Sequence, residues 1–151
     1  MEEIGRDFFR NFMLHEELTG KILESCFEVS KELGIGFIES VYEKALMVVL
    51  KQKGFKVENQ VPLKVRFRGV VVGEFKADLF VEDKILIELK AVSSFANEHF
   101  AQILNYLKAT EIEVGLIINF GNSKLEYRRF NNRFLEGKNL DGKSLIDFLK
   151  E

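Results

Sequence analysis

The chain has 151 residues, 46% of them hydrophobic and 30% charged, which suits one compact globular domain and makes two a squeeze. A single cysteine, Cys26, excludes an internal disulfide and any all-cysteine zinc or iron–sulfur site within one chain, and fits a reducing cytosol. The formal net charge of −2 excludes a globally basic field, so any contact with nucleic acid must rest on local patches.

The opening MEEIGRDFFRNFMLHEELTG is interrupted by Glu, Arg and Asp too often to be a signal peptide, and no later window approaches the ~20 apolar residues of a membrane span. A soluble, cytoplasmic protein with no membrane attachment is expected. From His15 onward, Leu18, Ile22, Val29 and Leu33 recur at helical spacing, with Gly34 and Gly36 as the stop. A second helix follows closely over FIESVYEKALMVVLKQKG, with Val41, Ala45, Val48 and Val49 on its apolar side. From Phe55 to about Lys90 the period changes to two. Val61, Leu63, Val65 and Phe67 alternate with Lys64, Arg66 and Arg68, and Phe75, Ala77 and Leu79 continue the pattern beyond turns or bulges at Gly69 and Gly73. Phe100, Ile103, Leu104 and Leu107 return to helical spacing, VGLIINF reads as a strand buried on both faces, and KLEYRRF reads as one more strand. Residues 131–151 form a polar tail with a short helical ending. A strand, a crossing helix and a further strand indicate an α/β class, and fifteen Phe with no Trp make much of the expected core aromatic.

Within residues 77–91, ADLFVEDKILIELKA, the charges Asp78, Glu88 and Lys90 interrupt what otherwise reads as a buried hairpin. Ionised groups in a buried sheet are costly unless they are paired or hold a metal. Period two puts Glu88 and Lys90 on one face of their strand. A reversal centred on Asp83 pairs position 78 with position 88, and directly paired residues share a face, so the three side chains converge. A strict two-residue turn at Glu82-Asp83 instead pairs Asp78 with Ile87 and sends Glu88 to the other face. Convergence therefore needs an odd-length loop or a bulge. Two converging carboxylates can hold a hard divalent ion such as Mg²⁺, and a neighbouring lysine can act on the attacking water or the phosphate. The competing reading is a cross-strand salt bridge among Asp78, Glu88, Lys90 and Lys76 on a solvated face, and the spacing alone favours it.

Among the remaining candidates, Glu39 stands near a helix N-terminus, where a carboxylate is favoured by the dipole. Tyr42 reads as a core aromatic with its hydroxyl at the boundary, or as a platform for a base. His15 and His99 are too distant in sequence to suggest a metal pair, and Cys26 lies in an amphipathic helix with no partners of a nucleophile around it. Lys64, Arg66 and Arg68, and likewise Arg128, Arg129 and Arg133, are either phosphate contacts or the charged guard of an edge strand.

The segment GFIESVY, with Gly36, Glu39 and Tyr42, then ADLFVEDKILIELKAV and AQILNYLKAT, resembles the small proteins called GxxExxY proteins, over nearly the whole chain. That family is similar to the PD-(D/E)XK nuclease superfamily. The resemblance implies a single restriction-endonuclease-like domain, a mixed central sheet flanked by helices, with its core over about residues 14–130. It makes Asp78 the acidic residue of the "PD" element, with Ala77 in place of the proline, and Glu88 and Lys90 the (D/E)XK element. Glu39 matches the upstream acid that many members add to the metal site. Gln102 and Tyr106 form a Q-x-x-x-Y pattern resembling that of the RecB-like branch and, with Tyr42, are carried as nucleic-acid contacts. Ile35 and Ser30 depart from the proline and histidine often found at those positions in relatives, both away from the proposed metal. The function implied is a Mg²⁺- or Mn²⁺-dependent nuclease acting on nucleic acid, DNA before RNA. The second reading is a silent nucleic-acid- or protein-binding accessory subunit on the same fold, working with a protein partner or as a homodimer.

Overall fold

The computed structural model describes residues 2–132, with side chains described from His15 onward. The predicted polar tail beyond Asn132, including Arg133, lies outside the described residues.

The first helix, α1 (Glu2–Leu33), begins well before the predicted start and buries Ile22, Cys26 and Val29 at spacings of four and three residues. It stops where Gly34, at φ +68°, donates its N–H to the Ser30 carbonyl. After five residues α2 (Glu39–Gln52) begins, burying Tyr42, Glu43, Leu46 and Leu50. The expected apolar face was set to one side of this. Val48 is 55% exposed, and Ala45 and Val49 only flank the core. The reason is Glu43, a carboxylate on the buried face, which makes the true face look polar in the sequence. Leu46 and Leu50 are fully enclosed, each worth about 1.5–3 kcal/mol relative to exposure.

The sheet comprises β1 (Val57–Phe67), β2 (Val70–Val81), β3 (Ile85–Lys90), β4 (Val114–Asn119) and β5 (Glu126–Asn131), in that spatial order. The β3 and β4 strands are parallel, joined across α3 (Asn97–Lys108), and the other neighbours are antiparallel. This is the mixed sheet expected. One core gathers Ile22 and Cys26 of α1, Tyr42, Leu46 and Leu50 of α2, and Leu79, Ile87, Leu89, Leu116 and Ile118 of the sheet. A second, smaller core joins Ile103 and Tyr106 of α3 to Leu63, Ala77, Leu86 and Ile117. The helices α1 and α2 thus cover one face and α3 the other. All of β4 is buried, as a strand enclosed on both faces must be. The closeness of α3 depends on Gly115, where an added Cβ would sit 3.0 Å from Ile103 Cδ1.

One irregularity positions the site. In β2, Leu79 and Val81 face the α1/α2 core, yet Ala77, two residues before Leu79, faces the α3 core. Strict alternation would keep all three on one side. The reversal falls at Asp78. On β1 the residue opposite, Gln60, has φ +50° and is left out of a register that runs from Asn59↔Leu79 to Val61↔Ala77. The outer part of the β1/β2 hairpin is therefore turned about its axis relative to the inner part.

Candidate active site

The link between β2 and β3 decides whether the charges meet. Val81 pairs with Ile85 across the three-residue loop Glu82-Asp83-Lys84, in which Glu82 and Asp83 adopt φ of 54° and 53°. The odd-length loop keeps Leu79 opposite Ile87 and so sets Asp78 against Glu88. Here the main-chain ladder gives way to side chains. The Asp78 N–H donates to Glu88 Oε1 at 3.2 Å, and the Leu89 N–H donates to Asp78 Oδ2 at 2.7 Å. Each carboxylate occupies a place that a backbone carbonyl would fill in a regular sheet.

Glu88 is 3% exposed. Burial and the neighbouring Asp78 push its carboxyl up to about 9, and Lys90 opposes them only weakly. Lys90 is occupied elsewhere. Its Nζ donates to Gln102 Oε1 at 3.0 Å, and Gln102 Nε2 donates to the Tyr106 hydroxyl at 3.0 Å. Gln102 and Tyr106 thus point the same way from α3, as their spacing predicts, but they meet the lysine and each other. Tyr106 is 6% exposed, with its ring against Phe75 at 5.7 Å and its hydroxyl held above the usual tyrosine range by burial and by Glu88. Among the described residues no ion pair joins Lys90 or Lys76 to either carboxylate, so the salt-bridge reading has no support in the geometry.

Glu39, in the first turn of α2, lines a cleft of about 410 Å³ together with Glu43, Asn59, Gln60, Asp78 and Leu89. It shares this cleft with Asp78, but among the described residues no three acidic, histidine or cysteine side chains are gathered closely enough to enclose an ion. The expected triad of Asp78, Glu88 and Glu39 is thus a close pair with Glu39 on the cleft wall. Two residues without a place in the sequence reading complete the wall. Glu43, 6% exposed, accepts hydrogen bonds from Gln60 Nε2 and Asn59 Nδ2, and Gln60 Nε2 also reaches Asp78 Oδ1 at 3.4 Å. The available signal was E-x-x-x-E: Glu43 stands one helical turn after Glu39 and shares its side of α2. Nothing in the sequence marks Gln60, because its role depends on a left-handed backbone that glutamine seldom adopts.

Tyr42 is corrected. Its ring is fully buried, stacked on Phe120 at a 4.7 Å centroid distance, and its hydroxyl donates to the Gly34 carbonyl at 2.7 Å. No face is free for a base. Tyr42 instead ties the start of α2 to the loop that precedes Glu39. His15 bonds Glu113 and His99 accepts from the Ala96 N–H, both away from the pair. Cys26 is enclosed and its thiol is raised far above the ordinary range by burial, which leaves it inert. Arg128 lies 4.7 Å from the Phe100 ring centroid and Arg129 pairs with Glu16, at the opposite edge of the sheet.

The exit from β3 is stapled. Asn119, beside Lys90 in the register, accepts from the Val92 and Gly121 N–H groups through Oδ1, and donates to the Val92 carbonyl. Gly121 lies so close to this segment that an added Cβ would be 2.3 Å from Val92 backbone atoms. Lys90 is thereby held at a fixed strand end.

The donor set fits a hard divalent ion. Both side chains offer oxygen, they repel one another in a buried place, and their nearest lysine is bonded elsewhere. Two carboxylates leave the rest of the coordination to water, which Mg²⁺ favours.

A search of curated proteins finds no match. Among solved structures the chain is similar to one titled "Crystal structure of SSO0001", at 20% identity and a TM-score of 0.48; the alignment covers 81% of this chain and 61% of that one. No helix among the described residues is long and apolar enough to cross a membrane. Residues 16–130 match the family model of the PD-(D/E)XK nuclease superfamily, whose members generally use divalent metals, and the restriction-endonuclease-like sheet agrees with it. The chain therefore belongs to the PD-(D/E)XK nuclease superfamily.

Proposed function

We propose that the protein is a Mg²⁺- or Mn²⁺-dependent nuclease of the GxxExxY kind, allied through Gln102 and Tyr106 to the RecB-like branch, and that it hydrolyses phosphodiester bonds in nucleic acid, DNA before RNA. The observation that carries this reading is the pairing of Asp78 with Glu88 at a break in the sheet, where burial and the neighbouring Asp78 push the Glu88 carboxyl up to about 9.

Asp78 and Glu88 would hold the ion. Once bound, it would polarise a phosphate oxygen and acidify a water. Gln102, fixed by Tyr106, holds the Lys90 ammonium at the edge of the pair, from which its protons can reach a phosphate oxygen as charge builds there. Glu39 would contribute its negative charge from the cleft wall, and Gln60, anchored by Glu43, braces Asp78 through Oδ1.

The test is cleavage of end-labelled and circular single- and double-stranded DNA, and of RNA, with Mg²⁺ or Mn²⁺, beside the Glu88→Ala, Lys90→Ala double variant. Cleavage by the wild type alone supports the reading. Equal activity in the double variant, or no cleavage of any substrate by protein that binds metal, rejects it.

A further inference from the structure

Exposed apolar side chains flank the carboxylate pair on both sides. On one side the loop before α2 presents Phe37 and Ile38, 46% and 71% exposed, in a recess they share with Glu39. On the other side the outer β1/β2 hairpin, residues 61–77, exposes Phe67, Val70 and Phe75. The pairings Leu63↔Phe75, Val65↔Gly73 and Phe67↔Val70 put these residues on one face, the face that meets α3. Phe75 lies against Tyr106, the last member of the chain that runs through Gln102 to Lys90. The apolar face is thus continuous with the candidate active site. The same hairpin carries Lys64, Arg66 and Lys76, which alternate with these apolar residues and so lie on its other face, while Arg68 at its turn lies 5.1 Å from the Phe67 ring centroid.

Half-exposed phenylalanines beside a phosphodiester site do not suit a duplex, which turns phosphates and sugars outward and keeps its base faces stacked. An unpaired strand offers base faces to aromatic rings and its backbone to cations. We infer that the substrate is single-stranded nucleic acid, its unpaired bases seated on Phe37 on one side of the carboxylate pair and on Phe75 on the other. This rests on the nuclease reading for the identity of the occupant.

The test is fluorescence anisotropy with labelled single-stranded and duplex oligonucleotides of equal length and Mg²⁺, in the Lys90→Ala background so that nothing is cut. The expected result is preference for the single strand, a loss of about ten-fold for Phe37→Ala and for Phe75→Ala, and recovery in Phe75→Tyr, which keeps the ring. Equal affinity for both oligonucleotides, or unchanged single-strand binding in folded phenylalanine variants, overturns the inference. So does a Phe75→Ala protein that binds normally but sediments as a smaller species than wild type, which would make the hairpin face a contact between copies. Cleavage by the wild type separates this inference from the nuclease reading. Ring-dependent strand binding without cleavage of any substrate upholds the inference and removes the enzyme; cutting of duplex at rates the phenylalanine variants leave unchanged does the reverse.

Discussion

The hairpin from Asp78 to Lys90 carries charges at its tip and at its base, and the structure treats them in opposite ways. At the tip, Asp83 accepts from Lys56 Nζ at 2.8 Å, both side chains are 58% exposed, and each holds the other's charge, the carboxyl below its usual range and the ammonium above. At the base, Glu88 is buried against Asp78 and forced toward its neutral form while the adjacent lysine bonds to an amide. Both are acid–base clusters of one hairpin, one formed by its loop with Lys56 and the other on its two strands. The tip joins opposite charges in the open, whereas the base sets two carboxyls together out of solvent, and carboxyls so placed make the base the candidate functional end of the hairpin.

The sharpest way to break the comparison is to remove the base. Glu88→Ala or Lys90→Ala should lower cleavage by about 10³-fold, read as initial rates at saturating metal. Next in size is metal-induced stabilisation. Saturating Mg²⁺ or Mn²⁺ should raise the stability of the wild type by about 2.7 kcal/mol at a hundred times its Kd, and Asp78→Ala should abolish this in thermal melts. Lys90→Ala should keep it. A third test is pH. The Glu88 carboxyl is raised from 4.5 to about 9 on folding, so between these values the folded protein holds a proton that the unfolded chain releases. The stabilisation is full below the lower value and is lost as pH rises through the upper one, so the metal-free melting temperature should fall steadily from pH 5 to 9. Glu88→Gln should flatten this slope. Smaller again is Gln60→Ala, which should weaken metal affinity by about ten-fold through the loosened Asp78. Smallest is Asp83→Asn, which should leave both cleavage and the metal response unchanged.

The parts of this arrangement that were legible in the sequence are those governed by periodicity. The alternation in ILIELK placed Glu88 beside Lys90, and the two possible loop lengths reduced convergence to one question, which the loop Glu82-Asp83-Lys84 answers. The burial of β4 and the helical spacing of α3 followed from the same rules. What escaped did so because local pattern and tertiary role conflict. Glu43 occupies an apolar face and so displaced the expected face of α2. Tyr42 bears a polar tip that satisfies a carbonyl inside the core, which makes it look available when it is enclosed. Gln60 and the change of facing at Asp78 depend on one left-handed residue with no glycine to announce it.

That left-handed residue has a mechanical consequence. Beyond Gln60 and Asp78 the hairpin extends from Val61 to Phe67, and at ~3.3 Å per residue it forms a lever of about 20 Å. A swing of about 10° at its root carries the far end about 3.5 Å, roughly the thickness of one base. The fulcrum of that lever is the aspartate of the carboxylate pair, so force exerted on the free end is delivered to Asp78 and, through it, to Glu88.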